Sequence, residues 1–280
     1  MQVRAAVVTG AAQGLGLALV EALAHRGSDV LMIDVNSRQL ESAAVEVRRA
    51  TRRTVLTLAA DVTSAGEVEA AARLAERSFG EVHLAANVAG IIGPADRPIW
   101  EVPAEEVQRL LDINLGGVLN GIRAFVPLLV EHGQPAVVIN MASMAGFMAT
   151  SARAPYVMSK HAVVGLTEAL RFQLAERHRQ VRAMLVAPGP VSTPLLEAAE
   201  HQGGRRPDAP PIRPAEAATR ILRALDAGEF YVFTNPGSES RISGRFDEIL
   251  EGCCATDRLA AEEALPSAGS PRRDAAVDTP

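Results

Sequence analysis

The sequence predicts a doubly wound α/β domain with a parallel sheet of about seven strands, and three observations carry that expectation. Short apolar runs rich in Val, Leu and Ala alternate with longer segments of helical period. The runs are apolar on both faces, which suits a parallel sheet covered by helices on each side. Strand and helix alternate strictly, so the repeating units are right-handed βαβ crossovers.

Taken in order, "RAAVVTG" leads into an amphipathic stretch from Leu15 to His25, and "DVLMID" into Ser37 to Ala50. "TVLTLAAD" is followed by Val68 to Phe79, and "VHLAANVAG" by a long helical segment from Glu105 to about His132. "PAVVINMAS" precedes a helix from about Pro155 to Arg177, and "VRAMLVAPG" comes next. From Ser192 to Pro214 the texture changes to Pro, Gly, Arg and Ala, which reads as a mobile excursion between two elements. Helical period returns from Ala215 to Ala227, and "EFYVFT" looks like a last strand. After Gly252 the large apolar residues give way to Pro, Ser and charge, so residues 253–280 are expected to be a disordered tail behind a single domain of residues 1–252.

The chain has 280 residues, 48% of them hydrophobic, and its mean hydropathy is +0.10, enough to bury a sizeable core. A formal net charge of -5 argues against nucleic acid or an anionic membrane as partner, because no basic block offsets the acidic excess. No apolar run approaches the roughly 20 residues of a membrane span, and the N-terminus lacks a signal-peptide layout. The expectation is a soluble cytoplasmic protein whose partners are small molecules. The two cysteines, Cys253 and Cys254, are adjacent; a disulfide framework or a metal site needs ligands spread more widely, so incidental reduced thiols and no metal are expected.

"VVTGAAQGLGLALV" puts Gly10, Gly14 and Gly16 after the first strand and at the opening of the first helix. Glycines there allow a tight turn and let backbone N–H groups at a helix N-terminus approach an anionic pyrophosphate. Asp34 ends the second strand, where its carboxylate can accept hydrogen bonds from the adenosine ribose hydroxyls and repel a 2′-phosphate. That favours NAD, while Arg38, four residues on, leaves NADP open. Asp61 at the end of the third strand is placed to meet the adenine, and "NVAG" (Asn87, Val88, Ala89, Gly90) ends the fourth at the same edge of the sheet.

Among 28 Lys and Arg there is one lysine, Lys160, and it stands four residues after Tyr156, one of two tyrosines. At that spacing in a helix the two share a face. A free tyrosine, with a pKa of about 10, is a poor base at neutral pH, but a neighbouring ammonium favours phenolate and lets the residue shuttle a proton to or from an alcohol oxygen. Ser143 closes the fifth strand at the same edge, where its hydroxyl can hold the substrate oxygen against Tyr156.

Together these features resemble the short-chain dehydrogenase/reductase superfamily, a Rossmann-type fold, in its subgroup of about 250 residues. The resemblance runs from residue 3 to about 250 and rests on Thr9-Gly10-x-x-x-Gly14-x-Gly16, "NVAG", Asn114 in "INLGG", Ser143, Tyr156-x-x-x-Lys160 and "PGPVST" at 188–193. It implies an NAD(P)-dependent oxidoreductase in which Tyr156 is the general acid/base. Lys160 would lower the pKa of Tyr156 and bind the nicotinamide ribose, Ser143 would orient the substrate oxygen, and Asn114 would hold a water linking Lys160 to solvent. Pro188, Gly189, Val191 and Thr193 would flank the nicotinamide, with Gln13, Leu15, Val62, Asn87, Ala89 and Gly90 completing the coenzyme set. Two positions depart from the family pattern: Val88 replaces the second Asn of "NNAG", and His83 stands where Asp is frequent.

Around the open edge, Ile91, Ile92, Met144, Phe147, Met148, Leu195 and Leu196 suggest a lipophilic or cyclic secondary alcohol, or its ketone. The excursion at 192–214 resembles the family's substrate-closing loop and helix. The long helices at 105–132 and 155–177 resemble those that pair between subunits, implying a homotetramer or a homodimer. A nucleotide-sugar epimerase or dehydratase of the extended branch would show a T-G-x-x-G-x-x-G turn, and a catalytically silent NAD-binding regulator would have lost Ser, Tyr or Lys.

Overall fold

Successive residues along each strand point to opposite faces of a sheet, and here both faces are buried along the five central strands and partly exposed at the two edges. The computed structural model describes residues 2–93, 97–149, 152–201 and 209–264, with side chains as far as Cys254. Seven strands, β1 (Ala5–Thr9), β2 (Asp29–Asp34), β3 (Val55–Ala59), β4 (Leu84–Asn87), β5 (Ala136–Met141), β6 (Val181–Ala187) and β7 (Tyr231–Phe233), form one parallel sheet in the order β3-β2-β1-β4-β5-β6-β7. Ala6, Val8, Met32, Ala86, Ile139 and Val186 face one core, closed by α1 (Gly14–His25), α2 (Ser37–Thr51) and α8 (Pro214–Ala227). Val7, Leu31, Ala85, Val138 and Ala183 face the other, closed by α3 (Ala65–Phe79), α5 (Gly117–Glu131) and α6 (Ala154–Arg177). This is the Rossmann-type architecture the apolar runs predict. The strand order reverses between β1 and β4, and the crevice beyond the C-terminal ends of those strands is where open α/β sheets hold ligands.

The helical segment at 105–132 is two helices, α4 (Ala104–Leu111) and α5, joined by a π turn at Asp112–Gly116. Such single-turn widenings recur at functional sites, and this one carries Asn114, which is fully buried. The combined run Ala104–Glu131 is long and apolar enough to cross a membrane by length and composition, which the sequence expectation of no such run missed. In the fold its Phe125 and Leu129 are buried against the sheet.

Two further helices depart from the sequence reading. The excursion at 192–214 contains α7 (Pro194–His201), and its ends are joined by a parallel bridge between Val191 and Ile212. Gln202 to Asp208, within that excursion, lie outside the described residues. The chain divides into two compact units, Met1–Ser238 and Glu239–Pro280. The second unit is the continuation of α9 (Ser238–Ala264), so residues 253–264, expected without order, are helical; 265–280 lie outside the described residues.

Candidate active site

The glycine turn is compressed against two neighbours. Gly10 has φ +65°, and a Cβ there would lie 2.8 Å from the Ala89 backbone; a Cβ on Gly16 would lie 2.0 Å from the Gly10 carbonyl oxygen. Only glycine fits either place. Thr9, next to the turn, ties it to β4: its Oγ1 accepts hydrogen bonds from Val88 N at 3.0 Å and Ala89 N at 3.2 Å. α1 starts at Gly14 with no side-chain cap on its first N–H groups, leaving donors for an anion. The Asp34 carboxylate is fixed by two backbone donors, Ala12 N at 3.1 Å and Asn36 N at 3.0 Å, at the rim of the same crevice. Gln39 Nε2 donates to Gln13 Oε1 at 2.9 Å, and Leu15 packs on the core beneath. A crevice built this way fits a dinucleotide: Gly10 and Gly16 leave no room for a Cβ, the start of α1 has no side-chain cap, and the Asp34 carboxylate stands at the rim.

Ser143, Tyr156, Lys160 and Asn114 converge at the same edge. Ser143 follows β5 and hydrogen-bonds Tyr156, whose ring centroid lies 5.8 Å from Lys160 Nζ. Lys160 is buried, and Nζ donates to the Met141 carbonyl at 2.9 Å. Asn114 braces the loop after β4 to α6: its Oδ1 accepts from Ile91 N at 2.8 Å, and its Nδ2 donates to Ile91 O at 3.0 Å and Ser159 Oγ at 3.1 Å. A Cβ on Gly90 would sit 3.2 Å from Asn114 Oδ1 and 3.5 Å from Lys160 Nζ, so the exit of β4 borders both.

Comparison with known proteins agrees with this geometry. A family model described as short chain dehydrogenase matches residues 4–203. The chain belongs to the short-chain dehydrogenase family. It is 36% identical over 249 residues to 1-deoxy-11-beta-hydroxypentalenate dehydrogenase of Streptomyces exfoliatus, covering 89% of both chains. It is 33% identical over 226 residues to NADPH-dependent pterin aldehyde reductase of Arabidopsis thaliana, covering 81% of this chain and 90% of the relative. A short chain dehydrogenase/reductase from Burkholderia phymatum in complex with NAD superposes with a TM-score of 0.82 at 29% identity, over 90% of this chain and 95% of that one. The protein is thus an oxidoreductase of NAD(P) acting between an alcohol and a ketone.

The electrostatics of this dehydrogenase differ from what the motif alone implies. Burial raises the Tyr156 phenol above its ordinary pKa, while the Ser143 hydrogen bond and the Arg153 guanidinium pull it down. Lys160 is itself pushed down to about 8 by burial. The Arg153 guanidinium thus joins Lys160 as a second cation near the phenol.

Other candidates are placed less centrally. Asp61 folds back on its own turn, its Oδ1 accepting from Thr63 N at 2.9 Å and Thr63 Oγ1 at 2.8 Å. With Thr63, Glu105, Gln108, Arg109, Asp112 and Ile113 it lines an open cavity of about 350 Å³ beside α4, and Val62 is buried against Gly117. The Asn87 side chain turns away from the crevice, donating to Asn140 Oδ1 at 2.8 Å, so only its backbone lies at the edge. Thr193 closes over the turn, its Cγ2 3.3 Å from where a Cβ on Gly14 would be. Met144 and Phe147 are buried, and Phe147 stacks edge-on against Tyr231 and Phe233, which makes it a packing residue of β7. His83 is buried at the opposite edge of the sheet, hydrogen-bonded to Arg4 and stacked near His132.

Sequence reading missed two residues that shape this site. Asn235 follows β7 and clamps the "PGP" turn: its Oδ1 accepts from Gly189 N at 2.9 Å and its Nδ2 donates to Pro190 O at 2.9 Å. Arg153 stands three residues before Tyr156 at φ +59°, a left-handed conformation that costs a non-glycine residue about 1–2 kcal/mol. The clamp could not be read from a lone Asn beyond the last strand, whereas Arg153 lay inside the stretch between Ser143 and Tyr156.

Proposed function

We propose that the protein interconverts a lipophilic or cyclic secondary alcohol and its ketone, with Tyr156 as general acid/base and NAD as coenzyme. The observation that carries this reading is the convergence of Ser143, Tyr156, Lys160 and Asn114 on the exit of β4, beside a glycine turn that admits no side chain. In the oxidative direction Tyr156 takes the hydroxyl proton while Ser143 holds the same oxygen; a bound nicotinamide would supply the hydride acceptor. Lys160 would hold the nicotinamide ribose, and "PGPVST", whose turn Asn235 clamps, would hold the carboxamide end.

The fixed Asp34 carboxylate supports NAD, because a 2′-phosphate would meet an immobile anion. Exposed Arg38 at the start of α2 is the feature that favours NADP instead, and the pterin aldehyde reductase, by its name, uses NADPH. The hydroxypentalenate dehydrogenase, named for a hydroxy acid, supports a substrate of that general kind. Apolar side chains left exposed on α6, Met158 and Phe172, support a homotetramer or homodimer. Free, exposed Cys253 and Cys254 support a reducing, cytoplasmic setting.

The test is turnover of a panel of lipophilic secondary alcohols with NAD+ and NADP+, followed by absorbance of the reduced coenzyme. Tyr156→Phe is expected to abolish turnover with NADH affinity nearly intact, and Asp34→Ala to relax discrimination against NADP+. Unchanged kcat in Tyr156→Phe overturns the mechanism, and a wild-type preference for NADP+ overturns the coenzyme assignment.

A further inference from the structure

Arg153 is the residue before α6, and its backbone adopts φ +59°, ψ +41°, a conformation that glycine or asparagine enters more easily. A side chain kept in such a place points to a compensating contact. Here that contact is double. One arm of the guanidinium, Nη1, donates to the Gly93 carbonyl in the loop leaving β4, and the other, Nη2, donates to the Ala199 carbonyl in α7. The first loop carries Ile91, which Asn114 holds, and α7 lies within the excursion at 192–214, whose Thr193 sits beside the glycine turn. Three separate pieces of the site's rim thus meet at one planar fork, which a lysine could not reproduce.

Resting on the dehydrogenase reading above, we infer that Arg153 is a positioning residue: it latches α7 and the exit of β4 to the first turn of α6, three residues before Tyr156. The latch has an electrostatic side as well. Among the described residues, the titratable groups on these elements include Lys160, its Nζ 5.8 Å from the Tyr156 ring centroid, and His161 on α6, with Glu197, Glu200 and His201 on α7. The guanidinium of Arg153, on the residue before the helix that carries Tyr156, favours the phenolate by its charge. An α7 seated on Arg153 holds that cation beside the phenol, so seating of the substrate helix and proton transfer are linked through one side chain.

The experiment compares wild type with Arg153→Met and Arg153→Lys by three measurements: hydrogen exchange of the amides in residues 194–201, NADH binding by fluorescence titration, and the pH dependence of kcat and KM for alcohol oxidation. Arg153→Met should speed exchange in α7 by about tenfold or more while the interior of α6 stays protected. It should raise KM by about tenfold or more, since even one hydrogen bond from a charged group is worth that much, and leave the NADH Kd within about twofold. The rising limb of kcat should move to higher pH. Arg153→Lys should return the pH profile towards wild type without restoring α7 protection. Unchanged exchange in residues 194–201 of Arg153→Met overturns the latch, and a pH profile that superimposes on wild type overturns the link to Tyr156. Should the wild type turn over no alcohol with either coenzyme, the proposed function fails, and the exchange comparison still decides the latch.

Discussion

Lys160 should destabilise the fold that it serves. It is 4% exposed, and its proton affinity falls from the ordinary 10.5 to about 8 because burial disfavours the ammonium. At about 1.36 kcal/mol for each tenfold change, that fall means roughly 3 kcal/mol of folding free energy lost wherever the native state must hold the charge. Lys160→Met keeps the length of the side chain and removes the charge. It also strips the Met141 carbonyl of its 2.9 Å hydrogen bond, which returns about 1–2 kcal/mol. The net expectation at pH 7 is a variant more stable by about 1–2 kcal/mol, or roughly 3–6 °C in Tm, and without activity. The sign reverses with pH. Below about 8 native and unfolded chains both carry the proton, and the penalty is complete. Between about 8 and 10.5 the unfolded chain keeps a proton that the native state has released, so wild-type stability rises with pH while the variant's does not. Urea unfolding of both proteins at pH 7, 8, 9 and 10 should show the gap closing and then inverting. A variant less stable than wild type at pH 7, or a gap constant from pH 7 to 10, refutes the reasoning.

Gly121→Ala should destabilise by about 1–3 kcal/mol, since the new Cβ would lie 1.9 Å from the buried Asn87 Oδ1 on β4; a shift under about 0.5 kcal/mol in urea unfolding would show that β4 yields freely. Burial, Arg4 and His132 hold the His83 imidazole below its ordinary pKa, with Glu81 opposing. The native state therefore resists a proton that the unfolded chain takes up below about 6.5, and stability falls as pH drops through that value. His83→Gln should lose less stability than wild type between pH 7.5 and 5, measured by urea midpoint, and parallel losses would assign the acid sensitivity elsewhere.

What could be read from the chain was what it encodes locally. Strands apolar on both faces announce a covered parallel sheet, and all seven runs became strands. Tyr156 and Lys160 were legible because four residues on a helix is also a distance in space. α7 was hidden by its brevity and by the Pro- and Gly-rich texture around it. α9 was hidden by an opening, "SESRISG", poor in helix formers, although Ile242, Phe246 and Ile249 do follow helical spacing. Arg153 looked like one more arginine, because its importance comes from a left-handed backbone and two carbonyls distant in sequence, Gly93 and Ala199. The apolar residues expected around the open edge pointed only to a lipophilic substrate. Folding puts a guanidinium there.

The bridge between Val191 and Ile212, reinforced by Ser192 N to Ile212 O at 2.9 Å and Ile212 N to Pro190 O at 3.1 Å, ties both feet of the excursion together beyond the end of β6. Whatever lies between them can be exchanged like a cartridge. Lengthening a loop whose ends are already joined adds only about 0.6 kcal/mol for each doubling, and α8 begins at Pro214 whatever has come before. If the excursion closes over the substrate as proposed, rewriting residues 194 to 211 would retune which alcohol is accepted, while Ser143, Tyr156 and Lys160 stay as they are.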